Sequence, residues 1–173
     1  MFGNDVYYLC ENKLKISQIA EFVLEKFEEI KQNPSLNKIT KFHSFHRYLL
    51  MSFSKEQQHK LASIITNSKN SSVRKITNDY KKHLEIALSK TPTIANHVIV
   101  LQKIHRHFYR KLPKSHQKII KIHISEYRRE KIQLSDVLDT LKALTSEVDN
   151  MYAPRQSYFL LFSSRKSLWK EVV

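Results

Sequence analysis

Apolar residues return every three or four positions along most of this chain, the spacing that gathers them on one side of an α-helix. Between about Lys13 and Gln32 the stripe is Ile16, Ile19, Ala20, Val23, Leu24, Phe27 and Ile30, with glutamates on the other face, and Asn33-Pro34 ends the run. A second helix is predicted from about Asn37 to Ser52 on Phe42, Phe45, Leu49 and Leu50, and a third from about Lys55 to Thr66, opened by Ser54 and Gln57 in the form of a capping box. Polar residues Asn67 to Ser72 interrupt the pattern. It resumes with Val73, Ile76, Tyr80, Leu84, Ala87 and Leu88 and stops before Thr91-Pro92.

The fifth predicted helix, about Ile94 to Leu112 with Thr93 as its cap, separates two faces. Ile94, His97, Val98, Leu101, His105, Phe108 and Leu112 fall on one side at about 100° per residue, while Asn96, Ile99, Lys103, Arg106 and Arg110 fall on the other. Pro113 suits the first turn of a sixth helix reaching about Arg129, with Ile119, Ile120, His123, Ile124 and Tyr127 inward. Ser135 is placed to cap a seventh, built on Val137, Leu138, Leu141, Leu144 and Val148. After Pro154, the residues Tyr158 to Phe162 and Trp169 are too apolar for a free tail and are expected to pack on the bundle or on a partner.

The composition agrees with an all-α protein. One glycine and four prolines in 173 residues leave little material for hairpins, Gly-rich phosphate loops or a dinucleotide fingerprint. The expectation is a single compact bundle of about six to seven helices around one core. An acidic N-terminal segment occupies residues 1–36, the helical domain residues 37–162 and a tail residues 163–173. No run approaches the roughly 18 apolar residues of a membrane span, and no leader is visible, so a cytoplasmic protein is expected. The single cysteine, Cys10, allows neither an internal disulfide nor a cysteine-based metal site. No cofactor is implied.

Charge sharpens the picture. Residues 1–30 carry a net −3 and residues 31–173 a net +17. Between Lys103 and Lys131 ten Lys/Arg stand against only Glu126 and Glu130, with four histidines and two tyrosines interleaved. Cations for phosphates beside flat rings for bases are what nucleic-acid binding needs. If six such cations met phosphates, affinity would fall with salt at a log–log slope of roughly −4 to −5. His43 and His46, at i and i+3 beside Arg47, are placed to address one ligand; two histidines without a third ligand or an HExxH pattern make a weak metal site. His97 and His105 lie on the inner face and call for hydrogen-bond partners, which facing tyrosines would supply. No serine stands in a nucleophile elbow, and the acid pairs Glu28/Glu29 and Asp136/Asp139 read as helix-surface or first-turn residues, so no catalytic residue is assigned.

Several segments together resemble the YbgA-like domain, a family that occurs alone, fused to photolyase, or behind a TudS-type desulfidase domain. They are Phe42-His43-Ser44-Phe45-His46-Arg47-Tyr48-Leu49-Leu50-Met51, similar to FH-T-x-HK-x-LLM; Thr91-Pro92-Thr93 with His97, Val100, Leu101 and Gln102; Phe108; Tyr127-Arg128; and Lys142 with Gln156 and Tyr158. This chain has Ile99 where the family usually has Asn, Lys103 for His, Arg106-His107 for Gly-Tyr, and Gln133 for Pro. The first changes make the outer face of the fifth helix more cationic, favouring backbone over base contacts.

The resemblance implies a module that engages RNA beside an iron–sulfur desulfidase acting on thiolated uracil or on 4-thiouridine in tRNA. The chain lacks the cysteines for such a cluster and would act with a separate enzyme. The expected binding residues are His43, His46, Arg47, Lys103, Arg106, Arg110, Arg128 and Lys142, the expected ligand tRNA or another structured nucleic acid, and the expected protein partner a desulfidase. The alternative is a scaffold that docks a desulfidase or photolyase in a DNA-repair or UV-response setting, through the acidic first helix and the apolar tail.

Overall fold

The structure, a computed structural model, describes residues 15–163, so the expectations resting on Cys10, Lys13 and Trp169 lie outside the described residues. Among those residues there are eight α-helices, one short 3-10 turn at Ser68–Asn70 and no strand. The protein is all-α. Its described residues fall into two compact units that divide between Pro92 and Thr93, where one core had been expected.

The first unit holds α1 (Ile16–Gln32), α2 (Leu36–Phe53), α3 (Lys55–Thr66) and α4 (Val73–Leu88). The acidic helix α1 is part of this unit rather than an appendage ending near residue 36, and its apolar stripe explains why. Phe27 lies edge-on to Phe42 of α2 at 5.2 Å and stacks on Tyr80 of α4 at 5.0 Å, and all three rings are fully buried. Burying an aromatic side chain contributes about 3 kcal/mol, well above a surface ion pair such as Lys81–Glu28 between α4 and α1. Glycine-free turns are held by side chains. Ser35, Ser54 and Ser72 each accept a backbone N–H three residues on, from Lys38 at 3.2 Å, Gln57 at 3.3 Å and Lys75 at 3.3 Å. The Ser54 half of the expected capping box is present, whereas the Gln57 side chain reaches across to α4 and accepts from His83 Nδ1 at 2.8 Å.

The second unit holds α5 (Ile94–Phe108), α6 (Lys114–Arg128), α7 (Leu134–Ser146) and α8 (Ser157–Phe162). Thr93 caps α5 by accepting from Asn96 N at 3.2 Å. Two expected boundaries move. α5 ends at Phe108 rather than near Leu112, because Tyr109 N and Lys111 N close tighter i→i−3 bonds, to Arg106 O at 3.4 Å and Phe108 O at 2.8 Å. α7 starts before Ser135: the Asp136 carboxylate, a first-turn acid beside the helix N-terminus, accepts from Gln133 N at 2.8 Å. After α6 the chain closes a Schellman turn, with Lys131 N donating to Glu126 O at 3.0 Å and Glu130 at φ 57°, a left-handed position that glycine usually fills. The apolar segment after Pro154 enters the interior: Tyr158, Phe159 and Leu160 are buried, and Tyr158 packs edge-on to Phe162 at 5.3 Å.

In both units helices that follow one another in sequence lie side by side: α2 against α3, α3 against α4, α5 against α6 and α6 against α7. α1 also reaches α4, and α8 packs on α7.

Candidate nucleic-acid interface

The eight residues expected to bind nucleic acid are divided by burial. His46 is 1% exposed, its ring against Phe42 at 4.4 Å and Phe45 at 4.8 Å. Burial, and then the neighbouring His43, push its pKa down to about 3, so it is a neutral core ring and not a ligand contact. His43 is held from two sides. As the Nδ1–H tautomer it donates to the Tyr80 hydroxyl at 3.0 Å and accepts from the Gln58 amide Nε2 at 3.4 Å, an arrangement an imidazolium would disrupt. Burial, and then the charge of Arg47, accordingly lower its pKa to about 4. Arg47 is half-buried, donating from Nη2 to the Tyr48 hydroxyl at 2.8 Å with its guanidinium 4.5 Å from that ring. The pair expected to share one external ligand is thus spent on the interior of the first unit. Lys142, 7% exposed, is likewise withdrawn from the surface.

Lys103, Arg106, Arg110 and Arg128 are exposed, and all four belong to the second unit. Arg106 stands on the last turn of α5, where a cation also complements the helix dipole. Arg110 is not on the helix face but in the turn that follows it. That turn is fixed from α6, since Gln117 Nε2 donates to the carbonyls of Tyr109 at 2.7 Å and Leu112 at 2.9 Å.

Between α5 and α6 there is an open, groove-like cavity of about 410 Å³ lined by Gln102, His105, Arg106, Tyr109, Lys121 and Ile124. Its wall carries cations, an amide, a phenol and an imidazole and no carboxylate. Lys121 Nζ lies 5.3 Å from the centre of the Tyr109 ring, and the His105 ring stands edge-on to Tyr109 at 5.7 Å. Among the described residues Arg106, Arg110 and Lys121 make no ion pair. His105 is 8% exposed, and its buried Nε2 has no hydrogen-bond partner among the described residues. Burial, and then the charge of Lys121, lower its pKa and favour the neutral ring. Sequence periodicity put His105 in the core and missed that it borders a cavity. Lys121 and Tyr109 were signalled only by the density of bases and rings in that stretch, and Gln102 only by the segment after Thr91-Pro92-Thr93 that resembles the YbgA-like pattern.

Two further histidines are structural. His97 Nδ1 meets the Tyr158 hydroxyl at 2.8 Å, the tyrosine partner expected of an inner-face histidine, and burial lowers its pKa to about 4. The Thr140 hydroxyl donates to Asp136 O at 2.9 Å, which leaves its oxygen to accept from His123 Nδ1–H at 2.8 Å. No group of three potential metal ligands occurs among the described residues, and none of the described helices is long and apolar enough to cross a membrane.

The class these observations define is an all-α protein with a buried histidine–aromatic core in one unit and a cationic, ring-lined helix pair in the other. Residues 47–163 match the family described as "Protein of unknown function (DUF1722)", and the chain belongs to that family. No curated protein and no solved structure matches it.

Proposed function

We propose that this chain is a nucleic-acid-binding module without a catalytic step of its own, engaging structured RNA, and tRNA foremost, through α5, the turn after it and α6. The observation that carries the reading is the exposed, acid-free wall formed by Arg106, Lys121 and Tyr109, with Arg110 in the adjoining turn. Cations that make no ion pair among the described residues keep their charge available for phosphate, and a phenol at their centre offers a face to a base. The resemblance to the YbgA-like domain supplies the setting: a cytoplasmic accessory that holds tRNA for a separate iron–sulfur desulfidase acting on thiolated uridine.

The test is a titration of the whole chain with thiolated and unthiolated tRNA, and with duplex DNA of equal charge, at two salt concentrations. Tighter binding of tRNA is expected. Alanine at Lys103, Arg106 and Arg110 together is expected to weaken it by roughly 1 kcal/mol per lost phosphate contact at low salt. Equal binding to all three polymers, or an unchanged affinity in the triple variant, argues against the reading.

A second reading is a docking module for a protein partner such as a desulfidase or photolyase. It is favoured by Ile119 and Ile122, 39% and 45% exposed on α6. In the described part of the apolar tail, Tyr158, Phe159 and Leu160 are used in packing. Docking through isoleucines predicts a complex that survives high salt, unlike binding through cations.

A further inference from the structure

We infer that the cavity between α5 and α6 is a single-nucleotide site, which receives one unstacked base against Tyr109 and its phosphate between Arg106 and Lys121. The inference rests on the nucleic-acid reading and goes beyond it, because surface cations alone would hold a polymer by its backbone and would need no cavity. Three observations carry it. The volume, about 410 Å³, lies within the range of small-ligand pockets, roughly 300–1,000 Å³. The lining divides by chemistry as a nucleotide does: a flat ring for the base, an amide at Gln102 for the base's hydrogen-bonding edge, and two cations for the phosphate. The His105 ring, edge-on to Tyr109, has a buried Nε2 without a partner among the described residues, a polar group left over in the wall.

Tyr109 is positioned for this. It is 44% exposed although its backbone is tied down by Gln117, so the ring is fixed at its root, with the Lys121 ammonium over one of its faces. A base stacking on that face takes the place of the Lys121 ammonium, which then meets the phosphate of the same nucleotide.

Nucleoside monophosphates test the site without a polymer. Uridine 5′-monophosphate is titrated into the ¹⁵N-labelled whole chain, with uridine and ribose 5-phosphate as the two halves of the ligand. The expected result is saturable shifts at Gln102, His105, Tyr109 and Lys121, with each half-ligand about tenfold weaker. Tyr109→Ala is expected to lose about tenfold, the usual scale for one stacked base, and its circular dichroism shows whether the helices remain. No shift with the nucleotide, equal binding of ribose 5-phosphate, or an undiminished Tyr109→Ala overturns the inference. The two proposals fail separately. tRNA binding with no nucleotide response removes the pocket and leaves the broader function, whereas a nucleotide response with no preference for tRNA over duplex DNA removes the broader function.

Discussion

The two units carry the same residue types for different ends. In the first, His43, His46 and Arg47 stand among Phe42, Phe45 and Tyr48, and in the second, His105 and Arg106 stand beside Phe108 and Tyr109. As strings the two stretches are nearly interchangeable. In the structure the first is interior: His46 is sealed, His43 is fixed by Tyr80 and Gln58, and Arg47 lies along Tyr48. In the second, the α5 helix ends at Phe108, so Tyr109 and Arg110 leave the packed face and a cavity opens beside them. Where a helix ends, rather than which residues compose it, separates a core from a surface that can meet a ligand.

Acid should destabilise both units, the first through His43 and His46 and the second through His97. His43 and His46 have folded pKa values near 4 and 3, below an ordinary 6.5, so the unfolded chain takes up protons first as the pH drops. Stability is therefore complete above about pH 6.5 and is lost as the pH falls toward 4, by about 1.4 kcal/mol per pH unit for each histidine. Two units of acidification acting on this pair amount to about 5 kcal/mol, comparable to the whole stability of many domains. Denaturant melts of the chain at pH 7, 6 and 5 measure it, and a flat profile would mean that these rings are not held neutral.

Substitution should separate the regions. His46→Ala empties a site between Phe42 and Phe45 and is expected to cost about 2–4 kcal/mol, with RNA affinity of the folded fraction unchanged. Arg106→Ala is expected to do the reverse, moving stability by less than about 0.5 kcal/mol while weakening RNA binding by roughly 1 kcal/mol. Paired chemical melts and RNA titrations of both variants would expose a crossed result. The smallest effect is local: Glu130→Gly, at φ 57°, is expected to stabilise the chain by about 1 kcal/mol or less, read as a higher melting midpoint.

Helix positions were legible because apolar period survives in a chain this poor in glycine, and the caps Ser54 and Thr93 fell where the polar residue before each stripe put them. The end of α5 was not legible. Tyr109 to Leu112 continue the helical period, and only the tertiary bonds from Gln117 show that they form a turn. The burial of His46 was hidden for a similar reason, since a period assigns a ring to a face but not the depth at which that face is covered. The division after Pro92 had its sign in Thr91-Pro92-Thr93, which ends one helix and caps the next. The two units share the one composition, so no shift in residue usage marked the border.

The side-by-side packing of consecutive helices bears on how the chain reaches its structure. When partners are sequence neighbours, each docking closes only a short loop, and chains of that kind cross their folding barrier in microseconds to milliseconds. α2, α3 and α4 can therefore assemble on a ribosome, at some 5–20 residues per second, long before Tyr158 has been synthesised. His97 waits for that tyrosine. Until α8 arrives, the His97 imidazole lacks the hydroxyl it meets in the finished fold, and the second unit closes last.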